Sequence, residues 1–221
     1  MELSYWLSRW RKNKIGFHMA DGYPSLEQHL ANISFPKQQT ALVPLCGKSR
    51  DLITLTHHFN KVVGIEISEK AIKEFLHEQN LNATESSFAD FKIFKTDSIT
   101  LWCGDFMKLP AHKLPAIDLI YDKAALVALP PEKRPEYAEK LLSLCSDSTF
   151  IMLHHFTYNQ DEMPGPPFSV SDQELNAYFR DKFKAEILEK NELDLNRFIK
   201  FKYRGLKSGL MERFILFTSK I

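Results

Sequence analysis

Between residues 40 and 67 the chain reads TALVPLCGKSRDLITLTHHFNKVVGIEI: an apolar strand, a tight turn, a helix and a second apolar strand that leads to Glu66. In doubly wound α/β folds, an acidic side chain at the end of the second strand, about 20 residues after the glycine turn, binds the two hydroxyls of an adenosine ribose. The pattern therefore predicts half of a nucleotide-type binding fold, with Glu66 at the ribose. The alternative is an exposed glutamate at a strand end, which any α/β protein can have.

The turn between these strands lacks the glycines that bind phosphate groups. Gly47 is its only glycine and Pro44 precedes it, so the dinucleotide motif GxGxxG is absent. The triphosphate motif GxxxxGK[ST] would need a glycine at Leu42, in the middle of the first strand. The turn therefore favours an adenosine ligand without a phosphate, to which Leu45 and its neighbours are presented.

The composition favours one soluble domain over residues 1–221. Hydrophobic residues make up 44% of the chain, and 29 Lys and Arg nearly balance 28 Asp and Glu, which predicts a sizeable core and a small-molecule partner rather than nucleic acid or a membrane. Three widely spaced cysteines and the lack of an apolar run of about 18 residues predict a cytoplasmic protein with reduced thiols. No sustained heptad pattern is present, so we expect a monomer.

Strand-like runs alternate with helical patterns along most of the chain. We expect strands at residues 40–45, 61–67, 91–95, 99–103, 117–121, 149–153, 185–193 and 213–218. The runs at 91–95 and 99–103 are separated by turn-forming residues, which predicts a hairpin. This order predicts a three-layer α/β fold with a mostly parallel sheet and an antiparallel edge.

Helix signals lie between the strands. We expect helices from near Ser49, from Ser68 through Gln79, from Arg134 through Cys145, and at residues 175–183 behind the capping box at 171–174. Residues 1–39 carry Trp6 and Trp10 four positions apart, which predicts an amphipathic helix followed by an ordered loop. We expect this segment to form an N-terminal helical lid.

Three more positions carry candidate ligand-binding side chains. Asp105 and Phe106 follow a predicted strand, in a loop where an adenine ring would lie, and could contact that ring. The alternative is that the aspartate caps a turn beside a core phenylalanine. Lys123 ends another strand at the edge where open sheets bind ligands, although an Asp122–Lys123 pair is most often solvated. The sequence PGPPF (164–168) either walls a pocket or joins two elements.

Neither a metal site nor a covalent nucleophile is predicted. The pairs His57-His58 and His154-His155 lack an HExxH pattern or an acidic partner at ligand spacing. Cys46 has no evident base partner, and a GxSxG elbow is absent. We therefore expect these histidines to be core or surface residues.

Several motifs together carry a resemblance to a known family. They are Trp6, Trp10, IGFH (15–18), VPLCGK (43–48), VGIEIS (63–68), YDKAALVAL (121–129) and PGPPF (164–168). With these motifs, from about Tyr5 to Lys220, the chain resembles the thiopurine S-methyltransferases. The resemblance implies the class I S-adenosylmethionine-dependent methyltransferase fold, a Rossmann-like seven-stranded sheet in which PLCG replaces the glycine-rich turn.

The resemblance also implies a cofactor and a set of site residues. The cofactor is S-adenosylmethionine, S-adenosylhomocysteine is the product, and no metal takes part. The cofactor contacts fall on Trp10, Phe17, Leu45, Glu66, Asp105, Phe106 and Lys123. The acceptor contacts fall on Phe17, Lys123, Pro166, Pro167 and Arg204. The family pattern has arginine where this chain has Lys123, and lysine keeps the charge but loses the bidentate fork.

The implied reaction moves a methyl group to the sulfur of an aromatic or heterocyclic thiol such as a thiopurine, or to a selenium or tellurium species. A thiolate needs no strong base, so we assign no catalytic base and expect positioning to dominate. Our hypothesis is that Lys123 and Arg204 hold the thiolate while Phe17 and the prolines exclude water. The alternatives are methylation of halide or another soft inorganic nucleophile, and a protein that binds the cofactor without turnover. A nicotinamide oxidoreductase is disfavoured by the missing glycines.

Overall fold

The computed structural model describes residues 3–35, 39–196 and 198–220. Contacts along the chain divide it into two compact units, Met1–Ile120 and Tyr121–Ile221. The expectation of one domain over residues 1–221 stays a prediction. None of the described helices is long and apolar enough to cross a membrane.

The first unit combines a parallel sheet with helices. Its elements are α1 (Leu3–Arg11), α2 (Leu26–Asn32), β1 (Thr40–Val43), α3 (Asp51–Thr56), β2 (Lys61–Glu66), α4 (Glu69–Glu78), β3 (Thr84–Phe88), β4 (Phe91–Lys95), β5 (Ile99–Cys103) and the start of β6 (Leu119–Lys123). The strands are ordered β3-β4-β5-β2-β1-β6. The pairs β5–β2, β2–β1 and β1–β6 are parallel, whereas β3–β4 and β4–β5 are antiparallel.

The sequence explains why β1 and α4 lie where they do. All four residues of β1 are buried, which is typical of a central parallel strand covered on both faces. The hydroxyl of Ser68 accepts a hydrogen bond from the N–H of Ala71 at 3.3 Å and so caps α4. The buried face of α4 includes Ile72 and Phe75, and the helix packs on β2 and β5. A buried core therefore fixes the strand ends of the first unit.

The second unit begins within β6 and is mainly antiparallel beyond it. It contains α5 (Arg134–Ser143), β7 (Phe150–Thr157), α6 (Asp172–Phe179), β8 (Phe183–Leu193), α7 (Ile199–Tyr203) and β9 (Leu210–Ser219). Its strands are ordered β6-β7-β9-β8, and β9 is antiparallel to both β7 and β8. The Ser171 hydroxyl accepts a hydrogen bond from the N–H of Glu174 at 3.1 Å, so the predicted cap of α6 forms.

The mixed α/β architecture with an antiparallel edge is confirmed. The described residues form nine strands, whereas the resemblance implies seven, because the β3–β4 hairpin extends the sheet beyond β5. We did not predict β3, whose sequence TESSF is polar and largely exposed, and so has no buried face to mark it. The short helices α2 and α7 were also missed.

Most other differences concern where elements begin and end. The helix expected at residues 175–183 is α6, which ends at Phe179, and Phe183 already begins β8. The helix expected near Ser49 begins at Asp51, whose N–H donates to the Ser49 hydroxyl at 3.3 Å. Such shifts are small because the ends of a helix are less sharply defined than its middle.

Candidate functional site

The turn after β1 is the first part of the candidate site, and its backbone is unusual. Leu45 and Gly47 both have positive φ, 48° and 56° respectively, a conformation that costs a residue with a Cβ atom energy. The N–H of Cys46 donates to the carbonyl of Ile65 at 2.9 Å and ties the turn to β2. A leucine held in this conformation is typical of a backbone shaped for function.

Glu66 lies at the end of β2 and holds the same turn through its side chain. Its Oε2 accepts a hydrogen bond from the N–H of Gly47 at 2.9 Å, and its Oε1 accepts one from the N–H of Ser68 at 2.8 Å. The side chain is buried, and burial raises the pKa of the Glu66 carboxyl to about 7, although the backbone hydrogen bonds lower it. Glu66 is therefore a buried acceptor, not an exposed strand-end glutamate.

An aromatic cluster lies over the turn. Trp10, which is 3% exposed, comes so close to Gly47 that a Cβ atom there would lie 3.1 Å from its Cζ2 atom. Phe17 packs edge-on against both Trp6 and Trp10, with ring centroids 5.3 and 5.6 Å apart. Lys70 donates from Nζ to the carbonyl of Trp10 at 3.0 Å and joins α1 to α4. A side chain at position 47 would therefore require Trp10 to shift by a few tenths of an ångström.

Lys48, the residue that gives the turn its likeness to a phosphate loop, contacts two carboxylates. Its Nζ atom lies 3.0 Å from Glu74 and 2.7 Å from Glu78, both on α4. A lysine with two anionic partners is suited to hold the turn against the helix. This geometry agrees with the absence of a phosphate motif.

Asp105 and Phe106 lie in the loop that follows β5. The Asp105 carboxylate accepts a hydrogen bond from the N–H of Met107 at 3.0 Å and caps a short 3₁₀ helix at Phe106–Lys108, while Phe106 is buried. The N–H of Gly104 donates to the backbone carbonyl of Glu66 at 3.0 Å. The loop is thus joined to the end of β2, and Asp105 has the turn-capping contact that we gave as its alternative role.

In the second unit, Asp122 is buried directly before Lys123. Its carboxylate accepts hydrogen bonds from the N–H groups of Ala125 at 2.9 Å and Leu126 at 3.2 Å, and from the Tyr137 hydroxyl at 2.8 Å. Burial raises the pKa of Asp122 to about 6, against the lowering effect of these bonds. The alternative that we gave for this pair, solvated side chains, therefore does not hold for Asp122, and Lys123 is half-buried at the end of β6.

The residues 164–168, the proline segment, are held by side chains that donate to backbone carbonyls. Arg204 donates from Nη1 to the carbonyl of Pro166 at 2.8 Å and from Nη2 to the carbonyl of Pro164. The Tyr158 hydroxyl donates to the carbonyl of Pro167 at 2.7 Å. The N–H of Phe168 donates to the carbonyl of Val127 at 2.7 Å. The segment is an anchored structure and not a loose connection.

Comparisons with known proteins match most or all of this chain to one family. The model of the family "Thiopurine S-methyltransferase (TPMT)" matches residues 1–219. A thiopurine S-methyltransferase of Pseudomonas fluorescens Pf0-1 is 39% identical over 87% of this chain and 88% of its own length. Those of Marinobacter nauticus and Nitrosospira multiformis are 35% and 37% identical over 100% and 99% of both chains.

The chain belongs to the thiopurine S-methyltransferase family. It is therefore an S-adenosylmethionine-dependent methyltransferase. Solved structures show the same fold at low identity. An S-adenosylmethionine-dependent methyltransferase of Anabaena variabilis has a TM-score of 0.64 at 14% identity, covering 98% of this chain and 94% of its own. The Burkholderia thailandensis 1,6-didemethyltoxoflavin-N1-methyltransferase has a TM-score of 0.61 at 13% identity, covering 97% and 86%.

In this methyltransferase the predicted site residues divide between the two units. In the first unit, Gly47, two residues after Leu45, lies close to both Trp10 and Glu66. Phe17 joins this group by packing against Trp10. In the second unit, Pro166 and Arg204 are in direct contact. The roles of all these residues in ligand binding stay predictions, and so does the role of residues 1–39 as a lid.

Four residues fix parts of the candidate site, a role that the sequence analysis did not give them. They are Lys70, Asp122, Tyr158 and Arg134, a fully buried arginine that contacts both carboxylate oxygens of Glu174 at 2.9 and 2.8 Å. Only Asp122 has a signal in the sequence, since it directly continues the apolar run that forms β6. The other three contact residues 9, 40 and 60 positions away, and no local pattern marks those contacts.

Each of the two histidine pairs includes a side chain that contacts a carboxylate. His58 contacts Glu27 at 2.8 Å, and His154 contacts Glu212 at 2.7 Å. Among residues 3–35, 39–196 and 198–220, no group of three or more His, Cys, Asp or Glu is arranged to hold a metal ion. A reaction without a metal stays a prediction.

Proposed function

We propose that this methyltransferase transfers the methyl group of S-adenosylmethionine to the sulfur of aromatic or heterocyclic thiols such as thiopurines. The observation that carries the proposal is the match to thiopurine S-methyltransferases of three genera along nearly the whole chain. The supporting geometry is the buried carboxylate of Glu66 beside a turn without phosphate-binding glycines.

The residues of the first unit fit the proposed cofactor. A carboxylate at the end of β2 is the acceptor that a ribose diol needs, and Glu66 still has lone pairs beyond those used by Gly47 and Ser68. The left-handed backbone of Leu45 and Gly47 turns the chain so that backbone groups can approach a ligand. We propose that Trp10, Leu45, Glu66, Asp105 and Phe106 hold S-adenosylmethionine, which supplies an electrophilic methyl group on a sulfonium.

The chain's own contribution to the proposed reaction is positioning and charge. A thiolate attacks the methyl carbon in line, so that a sulfur–carbon bond forms as the bond to the sulfonium breaks, and two charges are neutralised. We propose that Lys123 favours the ionised acceptor, since a nearby cation lowers the pKa of a thiol. A cation at this position favours thiolates, selenolates and other soft anions over neutral acceptors.

The test is methyl transfer by the purified protein to matched acceptors, with products identified by mass spectrometry. The panel holds 6-mercaptopurine, its oxygen analogue hypoxanthine, thiophenol, an aliphatic thiol, selenite, tellurite and iodide. We expect the two aromatic thiols to be methylated and hypoxanthine to be inert. The Glu66→Ala variant serves as the control for cofactor-dependent turnover.

Other outcomes separate the remaining possibilities. Methylation of selenite, tellurite or iodide without any thiol product would contradict the thiol assignment and favour an enzyme for soft inorganic nucleophiles. Binding of S-adenosylhomocysteine with no product from any acceptor would favour a binding protein. Sedimentation of the same sample tests the proposed monomer, and fractionation of cells tests the proposed cytoplasmic location.

A further inference from the structure

The proline segment has few backbone donors of its own with which to hold its shape. Three of its five residues are prolines, and proline has no N–H group. Donors for its carbonyls therefore come from other parts of the chain or from water. Arg204 supplies two of these contacts, on the carbonyls of Pro164 and Pro166, from one planar guanidinium.

A separate set of contacts fixes the position of Arg204. The backbone N–H of Arg204 donates to the carbonyl of Phe201 at 3.1 Å at the end of α7. The next residue, Gly205, has φ of 110°, and a Cβ atom there would lie 2.3 Å from the carbonyl oxygen of Glu162. The Glu162 carboxylate in turn accepts hydrogen bonds from the N–H groups of Lys207 and Ser208, both at 2.7 Å. Residues 204–208 are thus attached to the chain just before the proline segment.

A small core supports the same arrangement. Met163 and Tyr158, which flank or contact the proline segment, pack with Phe201, Leu206 and Leu210. These three come from α7, from the loop after it and from β9. The side chain of Arg204 lies on the exposed side of this core. Solvent screens a charge in such an exposed position.

We propose that Arg204 is a positioning residue, which fixes the proline segment through the carbonyls of Pro164 and Pro166 and thereby sets the affinity for the acceptor. This role differs from the direct acceptor contact that the resemblance assigns to Arg204. It rests on the proposed function, in which Pro166 and Pro167 contact the acceptor. The fork of the guanidinium, and not its charge alone, is what the two carbonyls need.

The experiment compares Arg204→Met, Arg204→Lys and the control Lys202→Met. Lys202 lies on α7, two residues before Arg204, carries the same charge and donates to Asn196 at 2.6 Å. For Arg204→Met we expect KM for the thiol to rise about tenfold, equivalent to about 1.4 kcal/mol, with kcat changed less than about threefold. Arg204→Lys should not restore KM fully, and Lys202→Met should resemble the wild type.

Two further measurements separate positioning from a charge effect and from the proposed function itself. The pH profile of kcat/KM should keep its shape in Arg204→Met. A shift of its acidic limb to higher pH, reversed by Arg204→Lys, would overturn the proposal. Amide hydrogen exchange in residues 157–170 should be faster in Arg204→Met but not in Lys202→Met, and unchanged exchange would also overturn it. Exchange needs no turnover, so a wild type inactive on every thiol would refute the proposed function while this result still decides the role of Arg204.

Discussion

The Oε2 atom of Glu66 accepts a hydrogen bond of 2.9 Å from the N–H of Gly47, 19 residues earlier in the chain. Ser68 donates to the other oxygen of the same carboxylate at 2.8 Å. The residue proposed to bind the ribose therefore also fixes the turn beside it. Substitution of Glu66 should consequently affect both ligand affinity and the shape of the turn.

The affinity for S-adenosylhomocysteine should depend on pH through Glu66. Burial raises the pKa of its carboxyl to about 7 in the unliganded protein, and ribose hydroxyls donate best to the ionised form. The association constant should therefore fall by up to about tenfold for each pH unit below 7 and level off above it. Isothermal titration calorimetry between pH 5.5 and 8.5 measures this. Glu66→Gln should bind more weakly and lose the slope, and an equal slope in both proteins would contradict the assignment.

Gly47→Ala should destabilise the protein and weaken ligand binding. An alanine at φ of 56° costs about 1–2 kcal/mol, and its Cβ atom would lie 3.1 Å from Trp10. Urea unfolding measures the loss of stability, and the tryptophan emission spectrum reports a displacement of Trp10. Gly209→Ala is the control, because Gly209 has no positive φ and its Cβ atom would meet only the end of the Glu192 side chain. Equal unfolding midpoints for the two variants would refute this explanation.

Asp122 should make the stability of the unliganded protein depend on pH. Its pKa is raised from 3.8 to about 6 in the folded protein, so the folded state binds this proton more tightly than the unfolded state. The resulting stabilisation is complete below about pH 3.8 and is lost as the pH rises through 6. The free energy of unfolding of Asp122→Asn, measured with urea, should therefore rise relative to that of the wild type as the pH increases from 4 to 7. Asp181→Asn, at an exposed aspartate of the same unit, should show no such trend.

Asp122→Ala should be more damaging than Asp122→Asn. The alanine variant leaves the N–H groups of Ala125 and Leu126 and the hydroxyl of Tyr137 without their shared acceptor. We expect a loss of about 2–4 kcal/mol, since each buried group without its partner costs about 1–3 kcal/mol and the site can relax in part. A loss below that of Tyr137→Phe would show that the carboxylate is not the organising group.

Lys70→Met should loosen α1. The bond from Lys70 to the carbonyl of Trp10 is partly buried and contributes about 1 kcal/mol, so trypsin cleavage after Arg11, Lys12 or Lys14 should become about fivefold faster. Lys73→Met is the matched control, because Lys73 is on the same helix and pairs with Glu69 at 2.8 Å. The same comparison on release of S-adenosylhomocysteine tests whether residues 1–39 act as a lid. Equal cleavage of the two variants would exclude this contact as the restraint on α1.

Lys123 should matter through its charge. Lys123→Ala should lower kcat/KM for a thiol at least tenfold, because the cation that favours the thiolate is removed. Lys123→Arg, which carries the side chain of the family pattern, should retain most of the activity and improve the affinity for an anionic group that accepts two hydrogen bonds. If Lys123→Ala changed neither cofactor affinity nor turnover, the proposed role of this residue would be wrong.

The local features of the fold could be predicted from the sequence with good accuracy. The strands β4 and β5 have the predicted bounds, and Ser68 and Ser171 form the predicted caps. These features depend on partners within about four residues, or on an alternation of apolar side chains that a short window contains. The β3 strand was missed because its pairing with β4, and not its composition, makes it a strand.

The turn and the carboxylate of the candidate cofactor site could be predicted from the sequence because they lie in one short stretch of the chain. Gly47 and Glu66 belong to one strand-turn-helix-strand unit, so their spacing carries the information about their contact. The contact between Arg204 and Pro166 joins residues 38 positions apart, and that between Tyr137 and Asp122 depends on how α5 packs. No local pattern encodes either contact.

The strand-turn-helix-strand unit, the position of the carboxylate proposed to bind the ribose and the absence of a phosphate loop thus follow from residues within one short stretch of the chain. The burial of Asp122 and the anchoring of the proline segment by Arg204 are decided by long-range packing. The physical reason is that the hydrogen bond of a polar group depends on which distant backbone or side-chain group the folded core places within about 3 Å of it.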